Sequence, residues 1–319
     1  MLLKTDSFLI QQFVETLQIN YNFHGLYHFT DFSNFLNLFS VTSNPNQTLN
    51  SRNHCIKNNI NFHDGANREV IGHTNFIVQD CVRFYYKEKT MTLYVNEGIK
   101  KNNEHPHIPI PIYLVFSNEL LSMSNTWFTD GNAASKYTRF GNDYSFFSGI
   151  DWAEVLNRGP LPLDEGPDKW EKKRKRHAEL LSTSPIPLTY VNQIIFRAPA
   201  DLKRARLHLG NDARFVLNAK MFNNEKNFLQ EYSIKKVSTG LGYELHLSIR
   251  FNRPVSNDDR TKFELIDENN NILMTSGINF QSNLHTTFTV IISDIPLVPF
   301  IFRFYFYGII SIEENIRMR

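Results

Sequence analysis

A run of five consecutive cations, Lys172 to Arg176, ends three residues before a glutamate, Glu179. It belongs to the segment KWEKKRKRHAELL, residues 169–181, in a chain of 319 residues whose formal charge is only +2. Clustered lysines and arginines bind phosphates by releasing counterions, and the affinity they provide weakens as salt rises. Such a run is also often just a solvated helix face or a nuclear-import-like patch. Two interpretations stay open: a phosphate clamp beside a reactive carboxylate, or an ordinary charged surface.

Other segments combine polar side chains with short extended runs. GLYHFTDFSNF has His28 and Thr30 at the end of a predicted strand, where both can hydrogen-bond a ligand. VRFYYKEKTMTLYVNEGI has paired aromatic residues in a strand, and WFTDGNAAS is a polar turn of small residues. Each has a plainer reading, because His28 can be a core histidine and Tyr85 a packed ring. Trp170, beside the cations, can stack on an unpaired base or fill the core.

Length and composition describe an ordinary globular protein of one or two domains. The 41% hydrophobic and 21% charged content exclude disordered, collagen-like and coiled-coil classes. Cys55 and Cys81 are too few for a disulfide scaffold and lack zinc-ligand spacing, so we expect a reducing cytoplasm and no metal. The N-terminal segment is typical of an amphipathic helix rather than a signal peptide, and prolines interrupt the apolar residues 295–307. A cytoplasmic, soluble protein is predicted.

Hydrophobic periodicity predicts the elements that must position these residues. Helices are expected at residues 1–18, at 31–39 with Asp31 as the N-cap, and at 199–209 after a proline. Strands are expected at residues 26–30, 76–86, 90–95, 108–116 and 187–198, with a loop over 40–66.

From about residue 220 the pattern changes. Alternating or continuous apolar runs, separated by turn residues such as DENNN, predict an all-β region, most simply a small sandwich. We therefore predict two domains, residues 1–220 and 221–319.

Five segments in the same order resemble the DarT family of toxin ADP-ribosyltransferases, which use NAD⁺ to modify bases in single-stranded DNA. They are LYHFTDFSN, then NREVIGHTNFIVQDCVRFYYKEKTMTLYVNEGI, FTDGNAAS, IDW and RHAELL. The resemblance covers roughly residues 24–215. It implies an α+β fold, namely an ADP-ribosyltransferase domain with a split antiparallel sheet, here followed by the smaller sandwich-like domain.

The resemblance also implies roles for residues that bind NAD⁺. His28 and Thr30 would hold the dinucleotide, with Asn34 in the family's following asparagine position. Tyr85 would line the nicotinamide pocket by stacking. Arg68, in NREV, falls where the family has an essential arginine, and it would bind phosphate or help to move a proton.

Glu179 matches the family's catalytic glutamate. It would hydrogen-bond the ribose as charge develops, and accept a proton from the attacking base. The segment before it would be the substrate-recognition loop. The residues expected to contact nucleic acid there are Trp170, Lys172, Lys173, Arg174, Lys175, Arg176 and His177. Asp130, Asn132 and Ser135 of the polar turn would shape the acceptor site.

The resulting hypothesis is an NAD⁺-dependent transferase that modifies a nucleobase in a single strand, as a toxin in a toxin–antitoxin or antiphage system. DNA is the acceptor that the family favours, while the residues also allow RNA or, less readily, protein. A non-catalytic nucleic-acid-binding protein on the same fold is the alternative of a different class. Expected partners are a macrodomain-type antitoxin and, at the C-terminal domain, an antitoxin, chaperone or phage trigger.

Overall fold

The computed structural model describes residues 2–39, 47–51, 76–100, 108–240, 242–256, 258–280 and 286–317. The α-helices in these ranges are α1 (Ser7–Tyr21), α2 (Phe32–Phe39), α3 (Met91–Asn96), α4 (Tyr144–Ser148), α5 (Trp152–Val155), α6 (Pro167–Lys175) and α7 (Pro199–Leu209). The strands are β1 (Leu26–Asp31), β2 (Thr48–Leu49), β3 (Val82–Tyr85), β4 (Pro111–Phe116), β5 (Thr126–Thr129), β6 (Phe140–Gly141), β7 (Glu179–Ser182), β8 (Ile186–Pro187), β9 (Val191–Phe196), β10 (Phe215–Leu217), β11 (Leu229–Thr239), β12 (Gly242–Phe251), β13 (Lys262–Ile266), β14 (Ile272–Gly277), β15 (Thr287–Ile292), β16 (Phe300–Phe306) and β17 (Ile309–Ile316).

The chain forms two compact units. The first contains Met1–Thr30, Asn37–Val95 and Tyr113–Ile194, and the second contains Asp31–Leu36, Asn96–Ile112 and Ile195–Arg319. The helix predicted at 199–209 has the same bounds as α7. The domain boundary predicted at residue 220 stays a prediction.

The sheet of the first unit carries the strands in the order β9-β4-β1-β3-β7-β5-β6. Its central pairs β1–β3, β3–β7 and β5–β7 are antiparallel. Its strands carry large side chains that are fully buried, such as Phe84, Phe116 and Phe128. Together with the helices, this sheet confirms the predicted α+β class.

The start of α2 is fixed by a local cap. The Asp31 carboxylate accepts hydrogen bonds from the Ser33 amide at 2.9 Å and from the Ser33 hydroxyl at 2.7 Å. A side chain in this position satisfies an amide that the first helical turn leaves unpaired, so the predicted N-cap is confirmed.

The strand predicted at residues 90–95 is wrong, because this segment forms helix α3. The Thr90 hydroxyl accepts from the Leu93 amide at 3.3 Å, and the Met91 amide donates to His177 Nε2 at 3.1 Å. These two acceptors satisfy the first helical amides. The strand preference of the sequence TMTLYV is therefore overridden by a helix cap, to which the distant residue His177 contributes one acceptor.

The second unit contains the predicted all-β region. Three strands form a sheet in the order β11-β12-β15 and four form a sheet in the order β14-β13-β16-β17. The rings of Phe251 in β12 and Phe306 in β16 lie 4.4 Å apart, which joins the two sheets through an aromatic core. No helix in the described ranges has the length and apolarity needed to cross a membrane.

Candidate active site and nucleic-acid interface

Glu179 is the first residue of β7 and its side chain is 0% exposed. In the antiparallel pairing it lies opposite Tyr85 of β3, and Tyr85 lies opposite Tyr27 of β1. Directly opposed residues point to the same face of a sheet. The structure therefore brings Tyr85 and Glu179 together, with Tyr27 beside them.

Arg83 holds the Glu179 carboxylate in a bidentate ion pair. Its Nε donates to Oε2 at 2.8 Å and its Nη2 donates to Oε1 at 2.7 Å. Arg83 is two residues before Tyr85 and so points to the same face of β3. This fork geometry matches an ionised carboxylate and fixes the plane of the carboxyl group.

The backbone of Glu179 is fixed as well. Its amide donates to the Thr129 hydroxyl at 2.8 Å, and its carbonyl accepts from the Tyr86 hydroxyl at 3.2 Å. Tyr86 in turn packs edge-on against Trp152, with ring centroids 4.9 Å apart. The IDW segment therefore supports the glutamate through a buried tyrosine.

His28 is connected to the same site through Arg83. Its Nδ1–H donates to the Arg83 carbonyl at 3.0 Å, which fixes the tautomer and makes Nε2 a hydrogen-bond acceptor. Burial lowers the pKa of His28, so the neutral ring is favoured. The His28 ring lies 6.2 Å from that of Phe84, on the face of the strand opposite to Tyr85. Thr30 is buried on the same side of β1 as His28.

Tyr85 is a buried ring, only 7% exposed. Its ring stacks on Phe29 with centroids 5.5 Å apart and an interplanar angle of 6°. Its hydroxyl donates to Thr92 of α3 at 3.3 Å. The Tyr85 ring is thus contacted by Phe29 of β1, and its hydroxyl is contacted by Thr92 of α3.

The cationic run forms the second half of α6, which begins with Pro167. Arg174 turns inward: Nη1 donates to Asp130 at 2.7 Å and Nη2 donates to Glu171 at 2.7 Å. Its side chain lies so close to Gly131 that a Cβ there would come within 2.3 Å of Arg174 Nη1. The glycine of the polar turn is therefore required by the approach of α6.

The remaining cations divide into two groups. Lys175 pairs with Asp151 at 3.0 Å, and Arg176 pairs with Glu154, so both attach α6 to α5. Lys172 and Lys173 are exposed and form no ion pair with a described residue. Trp170 is 73% exposed on the same helix. Its exposure removes the core interpretation that the sequence allowed.

His177 joins α6 to α3 instead of facing solvent. Its Nδ1–H donates to the Lys173 carbonyl at 2.7 Å and its Nε2 accepts from the Met91 amide at 3.1 Å. Burial lowers its pKa, as do the nearby charges of Lys87 and Lys173. Both ring nitrogens are occupied, a geometry that suits a positioning role better than contact with a nucleic acid.

The turn at residues 130–135 is braced by its own hydrogen bonds. Asn132 Oδ1 accepts from the Ala134 amide at 2.8 Å, and the Asn132 amide donates to the Arg174 carbonyl at 2.9 Å. Ser135 is part of the same turn, with its amide donating to the Asn132 carbonyl. Burial opposes ionisation of Asp130, but hydrogen bonds from Arg139 and Arg174 lower its pKa overall. The turn and α6 therefore form one ion-paired surface.

Two predicted residues are not placed at this site by the structure. Arg68 lies outside the described residues. Asn34 lies in α2, whose first turns belong to the second unit. In the described ranges, no cluster of three or more His, Cys, Asp or Glu side chains could hold a metal ion.

Sequence reasoning missed Arg83 and Thr129. A signal for Arg83 was present: an arginine between apolar residues in the strand VRFYY needs a buried anionic partner. Nothing in the sequence separated Thr129 from other strand threonines, because its role depends on the register between β5 and β7.

The family model described as "ssDNA thymidine ADP-ribosyltransferase, DarT" matches residues 27–226. No curated protein matches the sequence.

Several solved structures are similar to the chain. The DarT of Thermus sp. 2.9 in complex with NAD⁺ is 16% identical with a TM-score of 0.48, over 62% of this chain and 96% of that one. The same protein with ADP-ribosylated ssDNA gives 16% identity and a TM-score of 0.47, over 62% and 95%. The Thermosipho africanus DarTG in complex with ADP-ribose gives 17% identity and a TM-score of 0.45, over 63% and 51%. The family match spans well over half of the chain and includes Glu179 and the helix before it, so this protein belongs to the DarT family of ADP-ribosyltransferases.

Proposed function

We propose that this protein transfers ADP-ribose from NAD⁺ to a nucleobase of single-stranded DNA. The observation that carries the proposal is the placement of Glu179. It is an ion-paired, buried carboxylate that starts a strand directly after a helix with exposed cations. The matching family is described by this activity and by thymidine as the modified nucleoside.

The reaction breaks the bond between nicotinamide and ribose C1′. The bonding electrons go to the pyridinium nitrogen, so nicotinamide leaves neutral and positive charge develops on the ribose. A nitrogen of the acceptor base then bonds to C1′ and gives up its proton. Glu179 stabilises the developing charge and accepts that proton, and general-base help of this kind contributes about 10²–10⁴-fold.

We assign the NAD⁺-binding roles from the family match, and one of them is supported by the hydrogen bonding of His28. Nε2 of His28 can accept a hydrogen bond from an amide or hydroxyl of the dinucleotide, because Nδ1 is bonded to Arg83. Tyr85 is assigned to the nicotinamide pocket from the family resemblance, and its ring already stacks on Phe29. From the family resemblance alone, we also assign NAD⁺-binding roles to Thr30, Asn34 and Arg68, with Arg68 on phosphate or assisting proton transfer.

The acceptor strand is proposed to bind along α6. Lys172 and Lys173 would attract backbone phosphates, and Trp170 offers an exposed ring on which a base can stack. Arg174, Lys175 and Arg176 would hold the helix in place through their ion pairs. A single strand suits this arrangement, because flipping a base out of a duplex costs a few kcal/mol, on the order of its stacking energy.

The test uses labelled NAD⁺ with single-stranded DNA, duplex DNA, single-stranded RNA and bulk protein, each with the wild type and Glu179→Gln. We expect label on single-stranded DNA alone, and none with the variant. Label on RNA alone would reassign the acceptor. Binding of oligonucleotides without any NAD⁺-dependent product would favour the non-catalytic alternative.

We also propose that the protein acts in the cytoplasm as a toxin in a toxin–antitoxin or antiphage system. Modified bases block copying of DNA, and a host needs a partner that reverses or restrains the reaction. A macrodomain-type antitoxin is the proposed partner, and the β-rich second unit is the proposed surface for it or for a chaperone. Induced expression should stop growth for the wild type and not for Glu179→Gln. Co-expression of an ADP-ribosyl hydrolase should restore growth.

A further inference from the structure

We propose that Arg83 is a positioning residue that orients the catalytic carboxylate and keeps it charged while the site is empty. The inference rests on the proposed function of Glu179 and extends it to a residue on the neighbouring strand. Arg83 would act through Glu179 and His28 rather than on the substrate itself.

The geometry gives Arg83 control over both oxygens of the carboxylate. Donation from Nε to Oε2 and from Nη2 to Oε1 fixes the tilt of the carboxyl plane as well as its position. The Arg83 side chain is 18% exposed, whereas Glu179 is fully buried. Arg83 is therefore the more exposed partner of the pair.

A buried carboxylate needs such a partner. Removal from water favours the neutral acid, which could neither stabilise positive charge on the ribose nor accept a proton. A guanidinium is charged at every physiological pH and matches a carboxylate in two parallel hydrogen bonds.

Arg83 also connects the glutamate to the proposed NAD⁺ site. Its carbonyl accepts the Nδ1–H of His28 at 3.0 Å while its side chain holds Glu179. One residue therefore sets the tautomer of His28 and the orientation of Glu179. The backbone contact with His28 does not depend on the arginine side chain, so substitution of Arg83 tests its effect on Glu179 alone.

The chain provides a matched control. Arg158 forms the same fork on Glu88, with Nε to Oε1 at 2.8 Å and Nη2 to Oε2 at 3.1 Å. Neither residue contacts Glu179 or His28 in the hydrogen bonds of the described residues. Arg158→Met therefore removes a more exposed fork of the first unit that does not bind Glu179 or His28.

The experiment compares wild type, Arg83→Lys, Arg83→Met and Arg158→Met. Transfer to single-stranded DNA is measured from about pH 5 to about pH 9. This range covers the pH values at which histidine and perturbed carboxylates titrate. In parallel, the Glu179 carboxyl carbon is titrated by ¹³C NMR in the protein without NAD⁺ and assigned with Glu179→Gln. This second readout does not depend on activity.

We expect Arg83→Met to lower kcat by about 10²-fold, the smaller end of what a general base contributes. The acidic limb of its kcat profile and the NMR midpoint should both move to higher pH, with KM for NAD⁺ little changed. Arg83→Lys should recover part of kcat and of the midpoint, and Arg158→Met should match the wild type.

A wild-type midpoint and pH profile in Arg83→Lys and Arg83→Met would overturn the proposal. If Arg83→Met does not fold, Arg83→Lys decides, since it keeps the charge and loses the fork. An inactive wild type would contradict the proposed function, yet a shifted NMR midpoint would still support the role of Arg83.

Discussion

Glu179 and Glu313 are both buried glutamates that meet arginines, but their surroundings differ. The two oxygens of Glu179 are taken by one guanidinium, that of Arg83 on the adjacent strand. The oxygens of Glu313 are divided among Arg204 and His208 of α7 and Arg303 of β16. Glu313 thus ties a helix to a sheet, whereas the described partner of the Glu179 carboxylate is Arg83 on the adjacent strand.

Burial and ion pairing therefore do not identify an active site by themselves. Burial opposes ionisation of Glu313, but the hydrogen bonds and charges of His208, Arg204 and Arg303 lower its pKa to about 2. That carboxylate stabilises the second unit and stays charged. Glu179 acquires its proposed role from its neighbours. These are Tyr85, which lies opposite it in the strand pairing, and the exposed cations on the preceding helix.

The largest change is expected from neutralising the two glutamates one at a time. Glu179→Gln should lower transfer by about 10²–10⁴-fold, because it removes the general base, while NAD⁺ binding is largely kept. Glu313→Gln should leave kcat unchanged at a temperature where it is folded. Transfer rates and NAD⁺ titrations check both, and equal loss of activity in the two variants would remove the distinction.

The stability of the second unit should fall as pH drops from about 4.5 to about 2. The folded-state pKa of Glu313 is below the unfolded value, so its stabilisation is present above 4.5 and is lost as pH falls through this window. The loss is at most about 3 kcal/mol. Urea unfolding at a series of pH values measures it, and Glu313→Gln should flatten the curve. An unaltered curve would contradict the assignment.

Trp170→Ala should weaken binding of single-stranded DNA by about 1–3 kcal/mol, the usual value for one stacked base. The ring is exposed on α6, so the fold should be unaffected. Fluorescence anisotropy with a short oligonucleotide gives the affinity. Phe8→Ala, at an equally exposed ring on α1, is the matched control. Equal affinity for both variants would show that Trp170 is an ordinary surface residue.

The smallest expected effect separates the exposed from the paired cations of α6. Lys172→Ala with Lys173→Ala should reduce the slope of log affinity against log salt by about 1.4, since each single-strand phosphate contact contributes about 0.7. Lys220→Ala with Lys235→Ala removes the same charge from the second unit and should leave the slope unchanged. If both double variants lower the slope equally, net charge and not this surface governs binding.

Much of the fold was predictable because its signals are local. Alternating apolar residues and turn clusters indicated β12, β13, β15 and β16, and a proline followed by helix-forming residues indicated α7. The segment at 90–95 failed because its helix depends on His177, which lies far along the chain. Strand β11, with mixed polar and charged residues, gave too weak a period to be predicted.

Ordered motifs and the cations before Glu179 are properties of residue type and spacing, so they sufficed to predict the family and the α+β class, and the role of Glu179 stays a prediction. Tertiary structure alone decided that Arg83 holds Glu179, that Arg174 to Arg176 make ion pairs within the protein, and that Trp170 is exposed. These outcomes depend on strand register and on which side chains a fold brings within hydrogen-bond distance. A linear sequence lists donors and acceptors, and only the folded chain pairs them.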